Sequence, residues 1–296
     1  TQTRAVIPVH FAGQSCDMES ISKNVKEAEK KYGNKIFIIE DGCHALGSEY
    51  KSARVGACVY SDMTVMSFHP VKHITTGEGG AVLTNDEELY KRLRRLRSHG
   101  ITSNPKEFVY NDQAFVNTQS EIENPPLVNP WYYEQLDLGY NYRITDIQCA
   151  LGVSQLKKLN DFCNRRSEIA NVYNKAFGGI ESIQIPFESE DCSSNFHLYV
   201  LLIDFNQIDM ERAQLMIELK KCGIQTQVHY IPVYTQPFYR KTFGTSWGDC
   251  PNAEEYYQKC VTIPLFPTMS DSDVERVIFE VTSIARSRKG KYSFTE

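Results

Sequence analysis

Two short stretches carry side chains whose types and spacing suit covalent chemistry on a bound small molecule. Ser67-Phe68-His69-Pro70-Val71-Lys72 sets a hydroxyl five residues before a lysine. Glu40-Asp41-Gly42-Cys43-His44 sets carboxylates just ahead of an imidazole. Thr75, Thr76, Gly77, Glu78, Gly79 and Gly80 follow the lysine, a backbone permissive enough to pass close to a ligand. A lysine amine attacks carbonyl carbon, a carboxylate keeps a ring nitrogen protonated, and hydroxyls or backbone amides hold a phosphate.

These groups act together only if the fold gathers them, and the hydrophobic pattern predicts that it does. Ile36-Phe37-Ile38-Ile39 is a short continuous apolar run, read as a parallel strand buried on both faces and ending at the carboxylates. Met63 to Phe68 is a second strand, running into the stretch Ser67 to Lys72, and Ala81-Val82-Leu83 a third. Ile21, Val25 and Ala28 recur at helical spacing before Gly33, and Asn85 is expected to cap a helix striped by Leu89, Leu93 and Leu96. Strands separated by helical crossovers imply an α/β layered domain with a largely parallel sheet, where ligands collect at the carboxyl ends of strands.

Residues 100–138, rich in Asn, Pro and Gln, read as an irregular excursion that includes Pro125-Pro126. Thr145 is expected to open a helix with Ile147, Ala150 and Leu151 on one face, and a further helix runs to about Phe177. A second, smaller α/β domain follows: a strand from Phe196 to Ile203, a helix from Met210 to Cys222 ended by Gly223, and a last helix packed through Val274, Val277, Ile278, Val281 and Ile284. The expected division is 1–150 for the ligand-binding domain and 151–296 for the smaller one.

Asp41 alone reads as a loop cap and Lys72 alone as a solvated surface lysine. Jointly, with Ser67, they match the requirements of pyridoxal 5'-phosphate. Glu40 to Gly47, Ser67 to Lys72, and Gly139 to Gln148 resemble the signature segments of the DegT/StrS sugar-nucleotide aminotransferases, which belong to fold type I of the pyridoxal-phosphate enzymes. The resemblance runs from the first residue to about Ile284. Within the family, Pro130 to Glu134 and Val228 to Tyr234 are most similar to enzymes that aminate a UDP-linked 4-keto-6-deoxy-N-acetylhexosamine in pseudaminic acid synthesis.

The resemblance implies that Lys72 is the Schiff-base lysine and proton shuttle, with Asp41 as partner of the pyridinium nitrogen. It places His44 near the phenolic oxygen of the cofactor and Ser67 on its phosphate. Asn141 is implied to reach the phosphate held by a neighbouring subunit of a homodimer. His229 and Tyr230 fall beside the nucleotide sugar, while Arg143 either pairs with a diphosphate or serves a structural role at a helix entry. Glutamate is the implied amino donor, and the acceptor is a nucleotide-linked keto-sugar. A dehydratase of the same family would carry histidine in place of Lys72.

Two departures stand beside these matches. Cys43 replaces a small alanine, and the family's N-terminal segment, with its phosphate loop and its cofactor-stacking aromatic residue, does not precede the first strand. The sequence therefore reads as N-terminally truncated. An inactive homologue acting only as a binding or assembly partner is the alternative expectation.

Composition bounds the remaining possibilities. The 296 residues are 41% apolar, enough for one large domain or two modest ones, and the net charge of -5 gives no pull toward nucleic acid or an anionic membrane. Lys91, Arg92, Arg94, Arg95 and Arg97 form a basic helix face, but no aromatic residues are interleaved for base stacking. No run approaches the roughly 20 apolar residues that cross a bilayer, and the N-terminus lacks a signal-peptide pattern. The nine cysteines are scattered without a C-x-x-C pair, and the seven histidines lack metal-ligand spacing. Reduced thiols in a cytoplasmic enzyme without a metal are expected.

Overall fold

The computed structural model describes residues 2–110, 112–116 and 127–286. Its first half carries strands β1 (Ala5–Val6), β2 (Phe37–Asp41), β3 (Glu49–Tyr50), β4 (Ala53–Arg54), β5 (Met63–Ser67), β6 (Gly80–Leu83), β7 (Ile101–Thr102) and β8 (Glu134–Gln135). Helices α1 (Met18–Tyr32), α2 (Glu87–Arg97) and α3 (Asp146–Leu156) accompany them. The main sheet has the order β1-β2-β5-β6, with β1, β2 and β5 parallel and β6 antiparallel to β5. The edge strand β6 thus departs from a helical crossover, because the loop carrying Lys72 turns the chain straight back.

Local chemistry sets the helix ends. Asp17 accepts the Ser20 N–H at 3.2 Å to start α1, and Gly33 ends it at φ 69°. Met18 and Val25 of α1 pack on Ile36 and Ile38, which buries one face of β2. The expectation that this strand is buried on both faces fails, since Phe37, Ile39 and Asp41 are only half-buried. Asp86, not Asn85, caps α2, accepting the N–H groups of Glu88 and Leu89 at 2.9 Å, and Leu89, Leu93 and Leu96 form its half-buried stripe. A reciprocal Thr145–Gln148 capping box opens α3. Its apolar face lies outward, with Ile147 84% exposed.

The second half contains α4 (Leu159–Phe177), β9 (Ile183–Gln184), β10 (Cys192–Ser193), β11 (Tyr199–Ile203), α5 (Arg212–Lys221), α6 (Pro237–Phe243), α7 (Pro251–Lys259), β12 (Cys260–Ile263) and α8 (Asp271–Arg286). An antiparallel sheet, β12-β11-β9, packs against α4, α5 and α8 around Tyr173, Phe177, Tyr199, Leu201, Leu219 and Val277. The strand expected from Phe196 starts at Tyr199, because the preceding residues form a turn in which Phe196 takes φ 47°. The two halves meet where β10 pairs with β3, Cys192 opposite Tyr50. Residue 150 falls within α3, and Pro125-Pro126 lies outside the described residues.

Candidate active site

The strand register sorts the two adjacent carboxylates. Glu40 pairs with Thr64 and Asp41 with Val65, and side chains alternate along a strand, so the two point to opposite faces. Glu40 turns into the interior, bonded to His10 Nε2 at 2.7 Å, to Thr64 Oγ1 at 3.2 Å and to Ser61 Oγ. Asp41 turns the other way. Its N–H donates to the Pro8 carbonyl at 2.9 Å, its own carbonyl accepts the His10 N–H at 3.1 Å, and Oδ1 accepts the Cys43 N–H at 3.1 Å. The carboxylate is thereby fixed at the exit of β2.

Lys72 comes from the loop after β5. Its N–H closes a turn onto the His69 carbonyl at 2.9 Å, and the loop returns through Thr76 N–H to the Phe68 carbonyl at 3.0 Å and Phe68 N–H to the Gly79 carbonyl at 2.8 Å. Burial lowers the proton affinity of the half-buried Lys72 amine below the ordinary lysine value, and the neighbouring Cys43 and Asp41 offset this only in part. The Cys43 thiol is pushed up to about 12 by burial and by Asp41, so it stays protonated. Asp41 is then the carboxylate whose charge acts on Lys72.

His44 forms the next wall. Burial, with the Lys72 charge adding to it, lowers its pKa to about 4, so the ring is neutral near pH 7. Its Nδ1 accepts the Ala12 N–H at 3.3 Å. The His44 ring centroid lies 5.9 Å from Phe11, 6.2 Å from Tyr230 and 4.4 Å from His197. His229 adjoins Tyr230, and its Nδ1 lies 2.8 Å from Thr262 Oγ1. Burial and Lys72 lower the proton affinity of His229 as well.

The structure therefore brings Lys72, Asp41, His44, His229 and Tyr230 together. Ser67, two residues beyond Val65 on β5, shares the face of Asp41 and accepts the His69 N–H at 3.3 Å. Asn141 and Arg143 lie elsewhere, exposed on a segment pinned to the end of α2 through a bridge between Ser98 and Asn141. Gly139 crosses Gly100 so closely that a Cβ would stand 2.1 Å from the Gly100 nitrogen. Gln148 Nε2 ties the start of α3 to the Glu78 carbonyl at 3.0 Å, the link between this segment and the lysine loop.

Sequence reasoning missed part of the wall. His73 is buried, with Nε2 3.2 Å from the Asn195 carbonyl, and only its place next to Lys72 hinted at it. Phe11, His197 and Tyr256 carry no local signal; Phe11 lies 5.7 Å from Tyr256, ring to ring.

Residues 1–282 match the DegT/DnrJ/EryC1/StrS aminotransferase family. The chain belongs to this family. A relative from Campylobacter jejuni, UDP-4-amino-4,6-dideoxy-N-acetyl-beta-L-altrosamine transaminase, is 36% identical over 292 residues, covering 99% of this chain and 68% of its own length. Among solved structures, the Helicobacter pylori aminotransferase PseC, involved in the biosynthesis of pseudoaminic acid, superposes with a TM-score of 0.81 at 30% identity, over 97% of this chain and 68% of PseC. The PLP-form of the sugar aminotransferase Spr1654 from Streptococcus pneumoniae gives 0.79 at 28% identity, over 97% and 69%. The aminotransferase is thus an α/β protein with the fold type I architecture.

Proposed function

We propose that this aminotransferase uses pyridoxal 5'-phosphate to move an amino group from glutamate to C4 of a nucleotide-linked keto-deoxysugar. The observation that carries this reading is the half-buried Lys72 amine, its proton affinity lowered, facing Asp41 at the end of the neighbouring strand. The donor set fits the cofactor: an amine for its aldehyde, a carboxylate for its ring nitrogen, His44 for its phenolic oxygen and Ser67 for its phosphate. When bound, the cofactor supplies the electron sink that lets an amino group leave one carbon and join another. The names of the Campylobacter and Helicobacter proteins support a UDP-linked amino-sugar substrate of the pseudaminic acid type.

Lys72 Nζ, with its weakened hold on a proton, would hold the cofactor and move the proton of the donor's α-carbon. Asp41, held by the Cys43 N–H, keeps the ring nitrogen protonated. His229 and the half-exposed Tyr230 face the sugar, and Arg143 is free in solvent to meet a diphosphate. Asn141 serves the cofactor phosphate of a second subunit, and the outward Ile147, Val153 and Leu156 of α3 support a homodimer through this side. Residues 1–150 then form the cofactor domain and 151–296 the smaller domain. All nine cysteines are free, which supports a cytoplasmic setting. Among the described residues no helix is long and apolar enough to cross a membrane.

The test is direct. Protein incubated with pyridoxal 5'-phosphate should gain visible absorbance, and borohydride should fix the cofactor on the peptide containing Lys72. A fixed adduct on another lysine, or none, would sink the assignment.

A further inference from the structure

Asn195 holds none of the cofactor-facing roles above, yet it is only 1% exposed and every polar group on it is used. Its Nδ2 donates to the His44 carbonyl at 3.0 Å and to the Leu46 carbonyl at 2.9 Å. Its Oδ1 accepts the His197 N–H at 3.0 Å, its own N–H donates to Ser48 Oγ at 3.1 Å, and its carbonyl accepts from His73 Nε2 at 3.2 Å. One side chain thus clasps the loop after β2 from a segment 151 positions away in sequence.

The clasp is anchored on both sides. Beneath it, Arg166 NH1 donates to the carbonyls of Phe196, His197 and Leu265 at 3.1, 3.2 and 2.8 Å. Above it, Ser48 Oγ donates to the Gly13 carbonyl at 2.7 Å. Gly13 has φ 102°, and a Cβ there would stand 2.1 Å from Asn195 Oδ1, so the turn at residues 12–13 rests directly on the amide. Ala12 and Phe196, both non-glycine, take φ 57° and 47° on either side of the clasp. Such backbone costs on the order of 1 kcal/mol per residue and persists only where surrounding bonds impose it.

The strained turn aims the Ala12 N–H at His44 Nδ1, 3.3 Å away. A donor at Nδ1 leaves the single proton of a neutral imidazole on Nε2. We infer that Asn195 is a positioning residue, which holds the His44 imidazole in the Nε2–H tautomer by locking the loop after β2 against the turn at residues 12–13. His44 then presents a hydrogen-bond donor to the site. Without the clasp, the Nδ1 and Nε2 tautomers compete, and part of the population offers a lone pair instead. The catalytic consequence rests on the reading of His44 as a neighbour of the cofactor.

Nitrogen-15 spectra of histidine-labelled, cofactor-free protein report the tautomer directly, with His44 assigned from a His44→Gln variant. The unsubstituted protein should show one Nε2–H form of His44, and Asn195→Ala should show averaging between two while the His229 signals stay put. In cofactor-loaded protein, Asn195→Ala should lower kcat about a hundredfold with KM for the sugar held within about twofold. Combined with His44→Gln it should add no further loss, because both changes act through one imidazole. An unaltered His44 tautomer in Asn195→Ala, or losses that multiply in the double variant, would overturn the inference. If Asn195→Ala does not fold, Ser48→Ala carries the same test in smaller measure, and a folded Ser48→Ala with unchanged His44 signals overturns it equally. Failure of the aminotransferase reading looks different: the His44 spectra behave as described, but no borohydride-fixed adduct forms on Lys72.

Discussion

The two faces of the sheet at the end of β2 hold the same kinds of residue in opposite states. On one face Glu40 meets His10, Ser61 and Thr64, with His10 fully enclosed and every carboxylate oxygen bonded. On the other, Asp41 meets Lys72 and His44 at the edge of a half-buried opening. Burial alone would lower the pKa of His10, but Cys16 and Glu40 carry it up to about 9. At His44 burial prevails, with the Lys72 charge adding to it, and the pKa falls to about 4. Burial lowers both rings, and only at His10 do the neighbours override it. A carboxylate whose partners are complete is scaffold, whereas one whose partner is a destabilised amine is available for chemistry.

The contrast is broken most severely at Lys72. Lys72→Ala should reduce transaminase turnover by about 10⁴-fold and abolish the fixed cofactor adduct, while urea unfolding shows stability intact. Glu40→Gln should do the reverse, costing about 3–5 kcal/mol in urea unfolding by leaving His10 buried without its carboxylate. Replacing His10 and Glu40 together by apolar residues of similar volume should recover much of that loss, with the cofactor adduct still forming. Asp41→Asn should lower turnover about a hundredfold and leave the melting temperature nearly unchanged. A melting change as large as that of Glu40→Gln would mean that both faces are scaffold.

The smallest effect expected is in the pH dependence of stability, where the two histidines act with opposite sign. His44 is depressed from 6.5 to about 4, so the unfolded chain binds the extra proton first. Its stabilisation is complete above pH 6.5 and is lost progressively as pH falls toward 4. His10 is raised from 6.5 to about 9, so its contribution is complete below 6.5 and fades as pH rises through 9. Urea unfolding from pH 4 to 9 should therefore show a flatter acid limb in His44→Gln and an unchanged alkaline limb. An acid limb identical to that of the unsubstituted protein would place His44 outside the buried cluster.

Much of this was legible before any coordinates, though unevenly. Two helix ends follow from Gly33 and Thr145, whose freedom at φ or side chain acts within one turn. The apolar run ahead of Glu40 and the position of Lys72 after Ser67 were enough to mark two strand exits and a lysine loop. The resemblance to one family then named Lys72, Asp41, His44 and Ser67 from two of its signature segments, and His229 and Tyr230 from Val228 to Tyr234, whereas Asn141 and Arg143 lie apart from them. The half-open face of β2 was misjudged, because an apolar run states only that a segment avoids water, not which surface in the protein or its partner covers each face.

The sequence by itself determined what is periodic or local: which segments run as strands and helices, some of their ends, and that Glu40 and Asp41 must diverge, since side chains alternate along a strand. Only the tertiary structure decided which of the two faces Lys72, because that depends on the side from which the loop after β5 returns. It also decided that Asn195, His197 and Tyr256 reach the same site from the second half of the chain. Their positions depend on the pairing of β10 with β3 and on the core behind β11, contacts between residues far apart in sequence that no local pattern encodes.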